Sequence, residues 1–287
     1  MKWDRGYRSN DVEDLRGRSA GGRGPGGAAL AGIGQLLVRK FGIAGLVVAA
    51  LGYLGLRYCG GGSMFGVAGS GQDPAATQTP ADDEAFQFVS FVFDDAQAMW
   101  VKIFADAGMK YEKAGMRVFT DQADSACGLN SAAVGPFYCP GDQYVYIDLT
   151  FYDTLKQRLG AGGDFAEAYV IAHEMGHHVQ HLLGNLDKGR DKGADGGSVR
   201  VELQADCFAG VWASHTKRRD MLEAGDVEEA FTAAKAIGDD TLQKRATGTV
   251  QPHAWSHGSS AQRKRWFQRG LETGDMNACD TFAASQL

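Results

Sequence analysis

The stretch FAEAYVIAHEMGHHVQHLL, residues 165–183, restricts the fold more than any other part of the chain. Its first half is almost wholly apolar, and Gly184 follows as a helix-ending residue, so the stretch predicts one buried helix. An H-E-x-x-H sequence begins at His173 and ends at His177. Two imidazoles one helical turn apart lie on the same side of a helix and can bind one metal ion. Glu174 lies beside that ion, where a general base for hydrolysis belongs.

The next predicted helix offers the third metal ligand. A catalytic zinc site has three protein ligands and keeps a fourth position for water. The segment RVELQADCFAGVWA, residues 200–213, places Glu202 and Asp206 one turn apart, beside an apolar stripe. We expect Glu202, 25 residues after His177, to be the ligand, and Asp206 to accept a hydrogen bond from a liganding histidine. The alternative is a solvated carboxylate pair, which the location in the adjoining helix disfavours.

The other histidines of the first stretch do not extend this site. His178 points about 100° away from His177, and His181 lies a further turn along the helix, too far to reach the same ion. We expect both to be packing or surface residues, with a contact to substrate as the alternative. Gln180 and Leu183 occupy the positions at which a three-histidine motif has glycine and its third histidine. The pattern therefore favours a zincin whose third ligand is glutamate.

The chain has 287 residues and 44% apolar content, enough for one core, but its early part differs in composition. Residues 1–35 are rich in glycine and arginine and predict a disordered cytoplasmic tail. Residues 36–58 include the uncharged stretch FGIAGLVVAALGYLGL and predict a transmembrane anchor. A buried core helix or a cleaved signal is the alternative. Residues 59–81 predict a flexible linker, and residues 82–287 predict the folded domain.

Charge is distributed unevenly along the sequence. Up to Arg57 there are 9 basic and 4 acidic residues, a balance of +5; since the whole chain carries −6, the remainder carries −11. The positive-inside rule then predicts a single-pass protein of the inner membrane, with its amino terminus in the cytoplasm and a periplasmic domain. The negative charge of that domain argues against nucleic acid or anionic lipid as its partner.

The cysteines predict disulfides if the domain is exported. Cys127 and Cys139 flank a short loop and predict one bridge, while Cys207 and Cys279 remain as a second, long-range pair. Cys59, the fifth cysteine, has no predicted disulfide partner. Buried free thiols are the alternative, and the lack of any CxxC pair argues against zinc binding by cysteine.

The apolar periodicity predicts an α+β fold that is mostly helical. Extended runs at 116–120, 131–139 and 143–149 predict a small antiparallel sheet. Capping boxes are expected where Asp164 precedes Glu167 and at Ser259. The predicted helices cover residues 84–107, 165–183, 198–218, 226–237 and 259–270.

Several separate segments resemble one bacterial family. HEMGHH and ELQAD, with YCPGDQYVYIDLTFY before them, HGSSAQRKRWF after them and MKWDRGYRSNDVEDLRGR at the start, resemble the neutral zinc metallopeptidases. The resemblance covers nearly the whole chain and includes the single membrane segment. It implies a zincin-like fold, a minimal gluzincin with a backing helix, a small sheet, the active-site helix and then the glutamate helix. It further implies that His173, His177 and Glu202 bind one zinc ion and that Glu174 is catalytic.

The predicted reaction is hydrolysis of a peptide bond, with a peptide or protein as substrate and endopeptidase action expected. Zinc would polarise a water and the scissile carbonyl, and Glu174 would take the proton and pass it to the leaving amine. For the oxyanion the favoured donor is His257, with His253 and Tyr152 as alternatives. The strand at 143–149 is expected to be an exposed edge on which an extended peptide adds.

Two other classes of function stay open from the sequence. One is a membrane-tethered scaffold or binding protein with a structural zinc site, against which Glu174 argues, because a structural site needs no base. The other is a zinc amidohydrolase that acts on an amide other than a peptide.

Overall fold

A computed structural model of the chain describes residues 1–17, 80–131 and 135–287, without the side chains of residues 80–83 and 129–131. The described residues belong to a unit formed by Met1–Gly17 and Gln78–Leu287. The predicted anchor at residues 36–58, with most of the predicted tail and linker, lies outside them. Within the described ranges, no helix has the length and apolar character needed to cross a membrane.

Helices dominate the described part of the chain. Every helix predicted from the sequence is present, with ends displaced by at most four residues, while α2 (Thr150–Gln157) and α6 (Asp239–Thr247) are additional. Both are short, with 8 and 9 residues, which is less than the window of about 11–18 residues over which helical periodicity becomes evident in a sequence. The helices are α1 (Pro80–Asp106), α2 (Thr150–Gln157), α3 (Asp164–Leu182), α4 (Gly197–Arg218), α5 (Asp226–Ala236), α6 (Asp239–Thr247) and α7 (Ser260–Thr273).

The two predicted capping boxes have different outcomes. Ser259 caps α7 as expected, accepting a hydrogen bond from the backbone of Gln262, whose side chain returns one to Ser259. The box at the start of α3 is wrong. Gly163 is the cap residue there, and its φ of 122° is one that glycine adopts most readily. Asp164 is instead the first helical residue, where a carboxylate is favourable next to the helix dipole.

The sheet is mixed, so the prediction of an antiparallel sheet is wrong. Its strand order is β1-β2-β6-β5, with β1–β2 and β2–β6 parallel and only β5–β6 antiparallel. The connection from β2 to β6 contains the separate β3–β4 hairpin and then β5, so the chain re-enters the sheet in its original direction. The strands are β1 (Val12–Asp14), β2 (Gly115–Phe119), β3 (Gln122–Ser125), β4 (Gly128–Ser131), β5 (Phe137–Cys139) and β6 (Tyr144–Asp148).

The strand order also shows that the expectation of an exposed, substrate-binding edge at residues 143–149 is wrong. β6, the run predicted to be an exposed edge, pairs on both sides, with β2 and with β5. Its residues Val145, Tyr146 and Ile147 are fully buried. The outermost strand next to β6 is β5, which also packs against α3.

The prediction of a disordered tail is wrong for residues 1–17. They form β1, which adds to the sheet beside β2, and the side chains of Met1 and Val12 join the main hydrophobic core. The composition of residues 1–17 does not predict their order, because their few apolar side chains are buried by contacts with distant parts of the chain.

Both predicted disulfides are present. Cys127–Cys139 fastens the turn between β3 and β4 to strand β5, and Cys207–Cys279 ties α4 to the segment after α7. Two glycines bring α4 and α7 together, because a side chain on either would meet the backbone of the other helix: Gly210 faces Phe267, and Gly270 faces Cys207. The carboxyl-terminal helix therefore lies directly against the helix that carries Glu202 and Asp206.

Candidate metal centre

The site lies where α3 and α4 cross. Gly176, inside the H-E-x-x-H sequence, makes this crossing close, since a Cβ there would lie 3.0 Å from both Cα and the carbonyl oxygen of Ala205. The adjoining apolar residues of both helices, among them Ile171, Met175, Phe208 and Trp212, belong to the core. The expectation that Gly176 permits close approach of another element is confirmed.

Three side chains from the two helices converge at this crossing. Nε2 of His173 lies 3.3 Å from Oε2 of Glu202, and Nε2 of His177 lies 3.6 Å from its Oε1. One ligand atom from each residue lies within 4.8 Å of those of the other two. Two imidazole nitrogens and a carboxylate form the donor set of a catalytic zinc site with a position left for water. The residues present therefore fit a zinc ion.

Hydrogen bonds on the far side of each ring orient the two histidines. His173 donates from Nδ1 to Oδ1 of Asp206 over 2.9 Å, and His177 donates from Nδ1 to Oε1 of Gln180 over 2.8 Å. The amide nitrogen of Gln180 is bound to the carbonyl of Val201, which fixes its oxygen toward His177. Because both Nδ1 atoms serve as donors, the lone pair of each neutral ring is on Nε2, the atom that faces Glu202.

Asp206 is a fully buried carboxylate with strong partners. Arg263, from α7, donates from Nε to Oδ2 over 2.8 Å and from a terminal nitrogen to Oδ1 over 2.9 Å. The hydroxyl of Tyr169, on α3, also donates to Oδ1. Burial alone would raise the pKa of Asp206, but the charge of Arg263 and the hydrogen bonds from His173 and Arg263 outweigh it and hold that pKa below its usual value. The anion that orients His173 is therefore stabilised in the core.

Glu202 is also held as an anion. Burial acts to raise its pKa, but the neighbouring imidazoles of His177 and His173 lower it well below the ordinary glutamate value. Glu174 directly follows His173 in the sequence and is 7% exposed. Glu174 is not part of the group of three converging side chains.

His257 lies at the solvent side of the site, with half of its side chain exposed. Its backbone N–H donates to Oδ2 of Asp239 over 2.7 Å, and its Nδ1 lies 3.3 Å from Oδ1 of the same carboxylate. This contact with Asp239 raises the pKa of His257, and the charge of Glu202 raises it further. The second effect places His257 within electrostatic reach of Glu202.

The remaining candidates lie elsewhere. His253 is exposed on a short turn before Trp255. Tyr152 is buried beside Glu167, at the opposite end of α3 from His177, and its hydroxyl has no hydrogen-bond partner among the described residues. The structure therefore brings neither of them to the ligand group.

His178 and His181 are packing residues, as expected. His178 is fully buried and donates from Nε2 to the carbonyl of Glu112 over 2.7 Å. Its Nδ1 then accepts from the hydroxyl of Tyr138 over 2.9 Å, and that hydroxyl lies 2.8 Å from Nδ1 of His181. Burial lowers the pKa of His178 to about 4, so its ring is neutral. These two histidines join α3 to β5.

Comparison with known proteins agrees with this site. The family model described as "Putative neutral zinc metallopeptidase" matches residues 1–282. The chain belongs to this family. The uncharacterised protein YpfJ of Escherichia coli K12 is 42% identical over 294 residues, covering 99% of this chain and 100% of that protein. An uncharacterised protein of Mycobacterium tuberculosis H37Rv is 40% identical over 232 residues, covering 76% of this chain and 78% of its own length. No solved structure matches the chain.

Membership of the zinc metallopeptidase family implies zinc as the metal. Sequence patterns assign no role at this site to Gln180, Tyr169 and Arg263, which bind His177 or Asp206, or to Asp239, which binds His257. Arg263 belongs to the segment QRKRW, which has three adjacent basic residues, and the sequence does not indicate which of them is buried. Only the packing of α7 on α4 shows that Arg263 is the buried one, 2% exposed.

Proposed function

We propose that this protein is a zinc-dependent metallopeptidase that hydrolyses internal bonds of peptides or proteins. The convergence of His173, His177 and Glu202, with Glu174 next to the first ligand, carries this proposal. The element order also supports a glutamate-ligand zincin: a backing helix and a sheet, then the H-E-x-x-H helix, then the glutamate helix.

In this mechanism zinc, when bound, would polarise both the attacking water and the scissile carbonyl. His173, His177 and Glu202 would hold the ion. Asp206 and Gln180 would keep the two rings turned so that Nε2 faces it. Positioning by buried partners matters because a small displacement of a reacting group slows catalysis strongly.

Glu174 is proposed as the general base. It would accept the proton of the attacking water and deliver it to the leaving amine. A carboxylate that is 7% exposed has little bulk water around it, so a proton taken from the attacking water can be kept for the leaving group.

His257 is proposed to stabilise the oxyanion. With Nδ1 near Asp239 and its pKa raised, the ring is favoured as a cation whose Nε2–H is a donor. A donor aimed at developing negative charge contributes about 10²–10³-fold to the rate in other hydrolases.

The domain is further proposed to function outside the cytoplasm. Two disulfides in one domain support this location, because thiols are kept reduced in the cytosol of most bacteria. The proposed membrane attachment by residues 36–58 concerns a part of the chain outside the described residues.

The substitution Glu174→Gln tests the function, with the purified full-length protein and a fluorescently labelled unfolded protein as substrate. We expect cleavage to fall by about 10²–10⁴-fold while one zinc ion per chain is retained. Glu167→Gln, the same change on the same helix away from the ligands, is the matched control and should cleave normally. Chelator should abolish cleavage, and added zinc should restore it.

The outcomes separate the proposal from its alternatives. Unchanged cleavage by Glu174→Gln contradicts the role of Glu174. A wild-type protein that binds zinc and cleaves no peptide supports a scaffold, or, if a non-peptide amide is hydrolysed, an amidohydrolase.

A further inference from the structure

Residues 1–17 complete the sheet of the peptidase domain. β1 lies parallel to β2 with Val12 opposite Met116 and Glu13 opposite Arg117. Backbone bonds continue at both ends, from Met116 to the carbonyl of Asp11 over 2.9 Å and from Leu15 to that of Val118 over 2.8 Å. Without β1, the edge of β2 would lose these partners.

The same segment packs on the backing helix. The ring of Trp3 meets that of Phe88 edge-on at 5.4 Å, and Tyr7 meets Phe91 at 5.5 Å. The Tyr7 hydroxyl donates to Asp94 over 2.9 Å. Aromatic pairs of this kind add to the stabilisation that burial provides.

The first residues then reach the helices around the metal centre. The backbone nitrogen of Lys2 donates to the carbonyl of Met221, after α4, over 2.7 Å. The side chain of Met1 is buried in the main core, and its nitrogen lies 2.7 Å from a carboxylate oxygen of Asp164, the first residue of α3. The segment therefore contacts the sheet, α1, the start of α3 and the end of α4.

We propose that residues 1–17 are a permanent part of the peptidase domain and lie in the same compartment as its active site. A single membrane crossing by residues 36–58, with the amino terminus in the cytoplasm, would place the segment and the domain on opposite sides. Every contact described above would then be impossible. The family model begins at residue 1, so this segment belongs to what the family shares. The inference does not depend on zinc or on peptidase activity.

Thiol labelling in cells tests the compartment directly. The test uses the full-length chain with Cys59→Ser to remove the fifth cysteine, and one new cysteine at a time. Arg5→Cys reports on the segment and Lys102→Cys on α1 of the domain, since these side chains are 79% and 74% exposed. A membrane-impermeant maleimide is applied to spheroplasts, and again after lysis to show that both positions react. We expect both positions to be labelled in intact spheroplasts, or neither. Labelling of one position alone overturns the proposal.

A cross-link tests the contact itself in the same cells. Glu13→Cys with Arg117→Cys places two thiols at paired positions of β1 and β2, and adjacent strands are close enough for a disulfide. A site for a specific protease is inserted after Gly71, and free thiols are blocked before lysis. After cleavage, we expect the amino-terminal fragment to stay attached to the domain on a denaturing gel until reductant is added. The matched control, Glu13→Cys with Lys244→Cys on α6, should release it. Oxidation of the purified protein serves as the reference for the first cysteine pair. If oxidation joins this pair in the purified protein but the fragment is released in cells, the proposal is overturned.

Discussion

Nδ1 of His173 donates a 2.9 Å hydrogen bond to Oδ1 of Asp206, a carboxylate with no exposed surface. The bond leaves Nε2 of His173 facing Glu202. Arg263 binds both oxygens of the same carboxylate, so the orientation of His173 on α3 depends on residues of α4 and α7.

Asp206→Asn is expected to weaken zinc binding by about 10–100-fold, the usual effect of removing a carboxylate that orients a metal ligand. The amide keeps the shape of the side chain but not the charge that holds the Nδ1 proton. Competition with a chromophoric chelator measures the affinity, and circular dichroism confirms folding. Tyr169→Phe, which removes one hydrogen bond to Asp206, should give a smaller loss. Asp195→Asn, at an exposed position, is the control. Equal affinity in Asp206→Asn and wild type contradicts the positioning role.

His257→Gln is expected to lower kcat by about 10²–10³-fold with zinc content unchanged. His253→Gln, four positions earlier and exposed, should have no effect. A similar loss in both variants would show that the turn as a whole, and not the His257 ring, is required.

Asp239→Asn should change the pH dependence of the same step. Asp239 raises the pKa of His257, so the contribution of the His257 cation to wild-type activity is complete below the usual histidine pKa and is lost as pH rises through the raised pKa. Without the carboxylate the pKa falls, and the alkaline decline of kcat begins at lower pH. A pH–rate profile measures the shift, and an unmoved alkaline limb counts against the cationic donor.

Gly176→Ala is expected to destabilise the fold by about 1–3 kcal/mol, the usual cost of overpacking. The new methyl group would lie 3.0 Å from the backbone of Ala205 and push α3 from α4. Since Glu202 is on α4 and the histidines are on α3, zinc affinity should fall as well. Gly184→Ala changes a glycine with free space around it and is a control for metal affinity, although its φ of 69° carries its own strain. Unchanged zinc binding in Gly176→Ala would mean that the crossing tolerates the methyl group.

The two disulfides should differ in their contribution to stability. Loop-closure entropy predicts a loss of about 4 kcal/mol for Cys207→Ser with Cys279→Ser, whose positions are 72 residues apart. For Cys127→Ser with Cys139→Ser, 12 residues apart, the predicted loss is about 3 kcal/mol. Urea denaturation compares the pairs, and the reverse order would mean that native packing outweighs chain entropy.

Glu167→Gln is expected to stabilise the protein at pH 8. Burial, followed by the charges of Asp164 and Asp153, raises the pKa of Glu167 to about 7 from 4.5. Folding thus favours the protonated form, and its contribution is complete below pH 4.5 and lost as pH rises toward 7. The gain at pH 8 is at most about 3 kcal/mol and should vanish near pH 4. Denaturation at both pH values, with exposed Glu228→Gln as control, measures it; a gain that does not depend on pH contradicts this assignment.

Some features follow from local sequence alone. Because His173 and His177 are one helical turn apart, helical geometry places them on one face, so this pairing of the two imidazoles needs no tertiary information. The cap at Ser259 is likewise local, since a hydroxyl and an amide three residues later satisfy each other. The disulfide pairs of the structure are those that cysteine number and spacing predict for an exported domain, with free thiols as the alternative.

Other features depend on contacts between distant parts of the chain. β2 and β6 pair in parallel because the chain between them returns to the end of the sheet at which β2 begins. The sequences of the two strands do not indicate this direction. The burial of residues 1–17 depends on surfaces provided by α1 and β2.

The sequence by itself determined the H-E-x-x-H pattern, because the two proposed ligands and the proposed base lie within one helix and the backbone sets their directions. Only the tertiary structure decided which carboxylate, amide and guanidinium groups fix those ligands. Asp206 and Gln180 act through atoms that face His173 and His177 across the crossing of α3 and α4, and Arg263 reaches Asp206 from a third helix. Such contacts depend on how helices pack, and side chains far apart in the chain acquire those distances only when the core has formed.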